Sequence, residues 1–467
     1  MIAVYWFLRP AKPMRFERFI IPFLVSLLVI TLSIASSAQE RPKNRPKLKD
    51  FGSSLKRLKW DPSTKHAVDT KRSTRSLTGS DNDEIVRIET NLVSTDVLVV
   101  DDKGKLVDNL TANDLMVTED GEPQKIVHFG RGDTASIPRS IVLIIDYGCS
   151  QLAVLRRSID AAKFMVDKLG PADVMAIVTD DVELVSDFTN DKNKLKKKLE
   201  EIYKRPNTAF DPTVVTNWHT WGKGLQFSAL MVTLREAFIE EDLRPIIVFQ
   251  TNGSELYEMR DSVVDKFPPP DFPGIVDAAW IQNVKRREKF VRDQGQSDFS
   301  LADVYRAADK SRATIYTIIP DARFLDRTPE QQLNLMRRKI DLEYERMLSY
   351  TTDYWRRKKL IATKEEWRTS SSPFLMWWAQ QNSTTQAALA SVAPRTGGWT
   401  EFLENPEDAD GIYNRILADI NNRYVVAYYP SNKAHDGTRR KIRFEVKGHP
   451  EYHILGRNSY YTSDGSN

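Results

Sequence analysis

Short apolar segments that alternate with helical segments impose the strongest constraint on how the middle of this chain folds. The run from Ile141 to Ile145 is apolar throughout, as is typical of a strand covered on both faces of a sheet. Gln151 to Leu169 then carries apolar side chains at helical spacing and ends at a Gly-Pro pair. Further strand-like runs begin near positions 174, 182, 245 and 314, and helical segments follow most of them. The repeated order predicts an α/β fold with a doubly wound, mainly parallel sheet.

Patterns typical of β structure flank this core on both sides. Residues 84–135 alternate apolar and polar side chains between turn signals such as Asp120-Gly121. Residues 422–467 return to the same pattern in "RYVVAYYP", "RKIRFEVKG" and "YHILGRNSYYT". We therefore expect an N-terminal β module and C-terminal β strands that pack together as one sandwich beside a central domain at 136–421.

Two inserts interrupt the central domain, near 255–300 and near 321–383. Both follow the carboxyl end of a predicted strand, which is the edge where open α/β sheets bind ligands. Thr328-Pro329-Glu330-Gln331 predicts a capped helix start in the second insert. The inserts are rich in tryptophan, which is typical either of a protein interface or of a small core of their own. These tryptophans are Trp280, Trp355, Trp367, Trp377 and Trp378.

The first 38 residues are typical of a signal peptide, so we expect an exported protein that is periplasmic, secreted or associated with the cell envelope. Arg15 and Arg18 precede a long apolar run, and Ser36 and Ala38 suit cleavage before residue 39. An uncleaved membrane anchor is the alternative, and it would be the chain's one expected contact with a membrane. Met14 is a second candidate for the start of translation.

The net charge and the cysteine content bear on nucleic-acid binding and on disulfide bonds. The formal net charge of +4 over 467 residues predicts no general attraction to nucleic acid. The basic excess is local, because Arg41 to Arg75 contains twelve Lys or Arg against three Asp. Residues 39–83 are accordingly predicted to form a basic, disordered linker. Cys149 is the single cysteine, so no intrachain disulfide can form.

Several stretches of the chain from Glu84 to Thr462 carry a family resemblance. They are "LTANDLMVTEDGEPQKI", "IVLIIDYGCS", "TIYTIIP", "TGGW" and "NRYVVAYYPSN", the last followed by "DGTRRKIRFEVK". With these, the chain resembles the exported bacterial proteins related to von Willebrand factor type A, of the acidobacterial type. The resemblance implies a Rossmann-like domain with a metal-ion-dependent adhesion site, and binding of a protein partner without catalysis.

The family's metal site is matched in part. Asp146 matches the motif's aspartate and Ser150 its second serine, and Thr208 is one candidate for its threonine. A competing alignment through 222–230 supplies no threonine. Gly148 replaces the motif's first serine, and Asn252 replaces its second aspartate. Because Mg²⁺ prefers carboxylate and other oxygen ligands, these departures predict a degenerate site where Mg²⁺ or Mn²⁺ binds weakly or not at all.

Two other classes of function remain open from the sequence. His449, Glu451 and His453 would share one face of an extended strand, which suggests a zinc-dependent hydrolase. A purely structural component of the envelope is the other alternative, and it differs in having no saturable partner. We favour a non-enzymatic protein that binds another, unidentified protein, mainly through the inserts.

Overall fold

The computed structural model describes residues 58–61, 66–69, 92–132, 138–147, 152–205, 225–238, 244–259, 299–369 and 372–462. The strands before the central sheet are β1 (Leu58–Asp61), β2 (His66–Asp69), β3 (Val93–Val100), β4 (Leu115–Glu119), β5 (Glu122–Gln124) and β6 (Ile126–Arg131). The strands of the central sheet are β7 (Arg139–Ile145), β8 (Val174–Thr179), β9 (Glu183–Thr189), β10 (Arg244–Gln250), β11 (Thr314–Ile319) and β12 (Thr400–Phe402). The last strands are β13 (Tyr424–Tyr428), β14 (Arg439–Val446), β15 (His453–Gly456) and β16 (Ser459–Tyr461).

The α-helices of the central domain lie between these strands along the chain. They are α1 (Leu152–Asp167), α2 (Lys192–Tyr203), α3 (Gln226–Glu236), α4 (Leu301–Lys310), α5 (Pro329–Tyr350), α6 (Tyr354–Thr369), α7 (Ser372–Ala390) and α8 (Ala409–Asn422). Asp191 caps α2, because its carboxylate accepts from the backbone N–H of Lys194 at 3.0 Å. The helix therefore begins at Lys192.

The central sheet has the strand order β12-β11-β10-β7-β8-β9. Every pairing in it is parallel except that of β9, which runs antiparallel to β8. The parallel strands therefore bring their carboxyl ends to one edge of the sheet. This arrangement confirms the predicted α/β fold class.

Helices cover both faces of this sheet, as the apolar strands predicted. Val142 and Ile144 of β7 face the core formed with α3, α4 and the end of α7. Ile141, Leu143 and Ile145 face the core formed with α1, α2 and α8. Because side chains alternate along a strand, an uninterrupted apolar run supplies both cores at once.

A sandwich of two antiparallel sheets lies beside the central domain, with orders β15-β3-β13-β6 and β16-β14-β4-β5. One apolar core joins the two sheets, with Val97 and Val426 from the first and Val117 and Ile442 from the second. Each sheet combines strands from before and after the central domain, as expected for a single sandwich. Strand β3 lies between β13 and β15, so both of its neighbours come from the C-terminal segment.

Buried arginines hold the sandwich against the central domain. Arg423, 1% exposed, forms an ion pair with Asp419 at 2.9 Å and donates to the Gly397 carbonyl at 2.7 Å. Arg457 donates to the carbonyls of Asp309 at 3.1 Å and Ala313 at 3.3 Å, and burial lowers its pKa to about 10. Because a buried cation needs partners to remain charged, these contacts hold the two parts in one arrangement.

The second insert forms a helical unit with its own core. Thr328 and Gln331 form the predicted capping box at the start of α5. Residues of α5, α6 and α7 then share an apolar core that includes Ile340 and Leu360 and against which Trp377 and Trp378 pack. These two tryptophans serve the insert's own core, whereas Trp355 is 71% exposed. The side chain of Trp367 and all of Trp280 lie outside the described residues.

The N-terminal segment differs from the prediction at one place. Strands β1 and β2 pair antiparallel, with Leu58 opposite Asp69 and Asp61 opposite His66, inside the segment predicted to be disordered. Cross-strand backbone hydrogen bonds form there despite the basic composition. The predicted signal peptide lies outside the described residues. Within those residues, no helix combines the length and the apolar character that a membrane span requires.

Candidate functional site

Asp146 lies directly after β7 at the carboxyl edge of the central sheet, and its side chain is fully buried. Its backbone N–H donates to the carbonyl of Gln250 at 3.1 Å, which extends the pairing of β7 and β10 by one residue. Asp146 therefore lies at the edge where open α/β sheets bind ligands. Gly148, Cys149, Ser150 and Thr208 lie outside the described residues.

The carboxylate of Asp146 is the centre of a hydrogen-bond network. Its Oδ2 accepts from Gln226 Nε2 at 3.2 Å, Thr251 Oγ1 at 3.4 Å and the backbone N–H of Asn252 at 3.3 Å. These donors come from α3 and from the turn after β10. Donors that converge on this one oxygen connect three elements at the edge of the sheet: the turn after β7, the start of α3 and the turn after β10.

Asp180 lies next to Asp146 and is the feature that the sequence did not reveal. It follows β8, is 4% exposed, and accepts from the backbone N–H of Tyr147 at 3.2 Å. Burial, followed by the neighbouring charge of Asp146, raises the pKa of Asp180 well above its usual value. Asp180 is therefore buried at the edge of the sheet and does not lie in a solvated turn. Apolar periodicity in the sequence shows where a strand ends, but it does not show how deeply the turn after that strand is buried.

A second buried carboxylate, that of Glu255 after β10, connects the network to α3. The amide of Gln226 donates to Ser254 Oγ at 2.8 Å and accepts from the Glu255 backbone N–H at 3.0 Å. Glu255 in turn accepts from Ser228 N at 2.9 Å and from Ser228 Oγ at 2.5 Å. Ser254 and Glu255 therefore belong to the site, although the sequence analysis placed the first insert's start at 255. No sequence motif marked this role.

Asn252 stands where the family has its second aspartate, and its side-chain oxygen is engaged. Its Oδ1 accepts from the backbone N–H of Ser254 at 3.0 Å, and Gly253 between them has φ +76°. The turn is tight, since a Cβ on Gly253 would come within 2.7 Å of Leu389 Cδ1. The amide oxygen thus shapes this turn, and Asn252 adds no negative charge.

The described members of the predicted metal site do not fit a tightly bound Mg²⁺. Such an ion takes six oxygen ligands in near-octahedral geometry. Here three hydrogen-bond donors converge on Asp146 Oδ2. Asn252 Oδ1 already accepts the hydrogen bond from Ser254 N that shapes the turn. Among the described residues, no group of three or more His, Cys, Asp or Glu side chains is arranged to hold a metal. Asp146 acts here as a hydrogen-bond centre.

The residues around the carboxyl edge of the central sheet form a polar rim that carries both signs of charge. Tyr147 OH donates to Asp181 Oδ2 at 3.4 Å, and the Arg205 guanidinium lies 5.6 Å from the centre of the Tyr147 ring. Arg205 also forms a bidentate pair with Glu183, at 3.0 and 2.9 Å. Burial and the charge of Asp181 raise the pKa of Tyr147. This rim offers hydrogen-bonding groups and the aromatic ring of Tyr147. Because its charges have both signs, it does not produce a strong electrostatic field of one sign.

The suggested zinc group does not form on one strand face. Gly448 has φ +77°, and residues 447–451 form turns before β15 begins at His453. His449 Nδ1 contacts Glu451 Oε1 at 2.9 Å, and the His449 ring stacks on Tyr452 at 4.4 Å. The prediction of one extended strand was wrong because Pro450 and Gly448 turn the chain here.

Comparisons with known proteins add limited information. No family model matches the chain, and no curated protein matches it. Similar solved structures include the vWF domain of the type V pili tip protein Mfa5 from Porphyromonas gingivalis, with 14% identity, 62% of this chain and 96% of that chain covered, and a TM-score of 0.31. A von Willebrand factor type A protein from Catenulispora acidiphila has 9% identity, 76% and 75% coverage, and a TM-score of 0.30. The conserved hypothetical protein BatB from Bacteroides thetaiotaomicron has 11% identity, 60% and 98% coverage, and a TM-score of 0.28.

Two of these structures carry the name of the family that the sequence resembles. At such TM-scores the similarity carries no argument about function, so the strand order and the helical layers define the class. The chain is an α/β protein with a doubly wound, Rossmann-like sheet, flanked by an antiparallel sandwich to which both ends of the central domain connect.

Proposed function

We propose that this chain is an exported, non-enzymatic binding protein of the von Willebrand factor type A kind, whose metal site is degenerate. The observation that carries the proposal is Asp146, which lies at the ligand edge but serves a buried network of protein donors. Partner recognition then depends on the polar rim and on the inserts. A divalent cation contributes little to it.

The chemistry of the edge supports binding better than catalysis. Asp146 and Glu255 are 0% and 2% exposed, and hydrogen bonds from the protein occupy both carboxylates. A general acid or base must reach a substrate proton within about 3 Å, which these buried groups do not offer. The zinc alternative has less support, because turns at Pro450 and Glu451 separate His449 from the strand that begins at His453.

Calorimetry of the purified chain with Mg²⁺ and with Mn²⁺ tests the role of the cation. We expect no saturable binding in the micromolar range, for the chain and for Asp146→Asn alike. Micromolar binding that Asp146→Asn abolishes, in a variant with an unchanged circular dichroism spectrum, would overturn the cation-independent proposal. Asp181→Asn is the matched control, because Asp181 lies on the rim and accepts from Thr179 at 2.6 Å.

Affinity capture from an envelope fraction, with and without a chelator, tests for the partner. A binding protein retains a saturable, stoichiometric partner in both conditions. Loss of the partner in the presence of the chelator would mean that binding depends on a divalent cation. Absence of any saturable partner would favour a structural component of the envelope.

A further inference from the structure

Helices α5 and α6, with the corner between them at 351–359, carry the most exposed large apolar side chains of the described residues. Among the described residues, the four most exposed large hydrophobic side chains all lie on these two helices. They are Trp355 at 71%, Tyr354 at 66%, Ile361 at 54% and Leu342 at 52%. The Tyr354 and Trp355 rings contact each other edge to face at 5.2 Å. Large aromatic side chains are seldom left in water without a partner surface.

Four consecutive cations follow these two rings in the first turns of α6, from Arg356 to Lys359. Arg356, Lys358 and Lys359 are exposed and have no carboxylate partner among the described residues. Lys358 Nζ lies 5.7 Å from the centre of the Trp355 ring. By contrast, Lys364 further along the helix is paired with Asp341 and Glu345. The unpaired charge is therefore concentrated at the corner.

Helix stability does not explain this placement. The first turn of a helix carries the positive end of its dipole and favours acidic residues, by about 0.3–1 kcal/mol each. No acidic residue lies in the first turn of α6. Asp353, just before the helix, accepts from the backbone N–H of Arg356 at 2.8 Å. A cluster that works against its own helix suggests a function outside the fold.

The corner is also rigid enough to present these side chains. The Arg357 guanidinium donates to the carbonyls of Leu348 and Thr351, and Thr351 Oγ1 donates to the Met347 carbonyl at 2.7 Å. One turn further along α6, Leu360 is fully buried in the insert's core. Tyr354 and Trp355 are therefore held on an ordered helix end.

We propose that this corner docks on the surface of a phospholipid membrane that carries anionic headgroups. Tyr and Trp suit the membrane interface, because each combines an apolar ring with a polar tip. Unpaired Lys and Arg are attracted to anionic headgroups. Rings and cations at one helix end match both layers of that surface, the apolar boundary and the headgroups. This contact is separate from the one that an uncleaved leader would make.

Binding of the full chain to vesicles tests the proposal, with phosphatidylcholine alone compared with phosphatidylcholine containing phosphatidylglycerol. Each Lys or Arg near an anionic surface contributes about 1 kcal/mol, or about fivefold in the partition coefficient. Lys358→Glu/Lys359→Glu should therefore lower binding to the anionic vesicles at least about twenty-five-fold. The matched control is Lys194→Glu/Lys197→Glu on α2, which changes the net charge equally at two exposed lysines. All variants keep the same leader and linker, so these segments cancel.

The apolar part of the contact has its own test. Trp355→Ala should lower binding to the anionic vesicles by at least about tenfold, because the membrane would bury a large aromatic side chain. Tyr429→Ala, at a ring 50% exposed on the sandwich, is the control and should leave binding unchanged. Raising the salt from about 0.1 M to about 1 M should weaken the wild type far more than the charge-reversed variant.

Three results would overturn the proposal. The first is equal loss of vesicle binding in the α6 and α2 charge reversals. The second is a Trp355→Ala variant that binds vesicles as the wild type does. The third is binding to polyglutamate or to inorganic phosphate through Lys358 and Lys359, without any preference for anionic vesicles. That result would mean that the corner binds an acidic protein segment or a soluble anion.

Discussion

Arg244 at the start of β10 and Asp96 in β3 form an ion pair between the central domain and the sandwich, with their side chains only 3% and 11% exposed. The guanidinium contacts both carboxylate oxygens, at 2.7 to 3.3 Å. It also donates to the Gly132 carbonyl at 3.2 Å. One arginine thus joins two parts of the fold.

Removing Arg244 should destabilise the chain strongly. Arg244→Met leaves the Asp96 carboxylate buried without its cation, which typically costs about 3–5 kcal/mol. Urea denaturation followed by tryptophan fluorescence measures the loss. Arg443→Met is the control, because Arg443 is 77% exposed in its pair with Glu445 and should change the free energy of unfolding by less than about 1 kcal/mol. A loss for Arg244→Met as small as that of the control would contradict the assigned role.

Asp180→Asn should stabilise the chain at neutral pH, by on the order of 1 kcal/mol. The substitution removes an acid that is buried beside Asp146, while the amide oxygen still accepts from the Tyr147 backbone N–H. Chemical denaturation at pH 7 measures the change. Asp181→Asn is the control: its amide oxygen can still accept from Thr179 on the rim, and it should not stabilise the chain. Destabilisation by Asp180→Asn would mean that the ionised Asp180 is needed for the edge.

The pair of Arg139 and Asp173 should make stability depend on acid. Burial alone would raise the pKa of Asp173, but hydrogen bonds and the charge of Arg139 outweigh it and lower the pKa. Since the folded pKa lies below the unfolded value of about 3.9, the stabilisation is present above that value and is lost as the pH falls through the folded pKa.

Urea denaturation of the wild type and of Asp173→Asn between pH 7 and pH 3 tests this linkage. The advantage of the wild type should hold from pH 7 to about pH 5 and shrink below about pH 4. An advantage that stays constant across the whole range would refute the linkage. Gly170 N also donates to Asp173, at 2.8 Å, and this bond too is weakened when the acid is protonated.

Gly253→Ala should destabilise the candidate site by more than backbone strain alone. A side chain at φ +76° costs roughly 1–2 kcal/mol, and the added Cβ would also meet Leu389 Cδ1 at 2.7 Å. Gly104→Ala is the matched control, because its φ is +75° but nothing lies within 4 Å. Thermal unfolding of both variants separates the two effects. Equal losses would show that the turn after β10 can move away from α7.

Local patterns predicted the parts of this fold that local patterns determine. The apolar run at Ile141–Ile145 identified a strand buried on both faces, and the capping box at Thr328 identified the start of α5. The pairing of Arg244 with Asp96 could not be predicted, because the two residues are 148 positions apart and no local pattern specifies which charges meet. The depth of Asp180 was missed for a similar reason, since its burial depends on α3 and on the turn after β7. The interpretation of His449 and His453 as members of one extended strand was wrong, because turns at Pro450 and Glu451 lie between the two residues.

The arrangement of β3 has a consequence for how the chain is made. Both of its neighbours, β13 and β15, are synthesised more than three hundred residues later. Until they arrive, β3 presents two open edges of hydrogen-bonding groups, which attract other chains. The strand therefore leaves the ribosome long before its sheet can form, and protecting it during synthesis should increase the yield of folded protein.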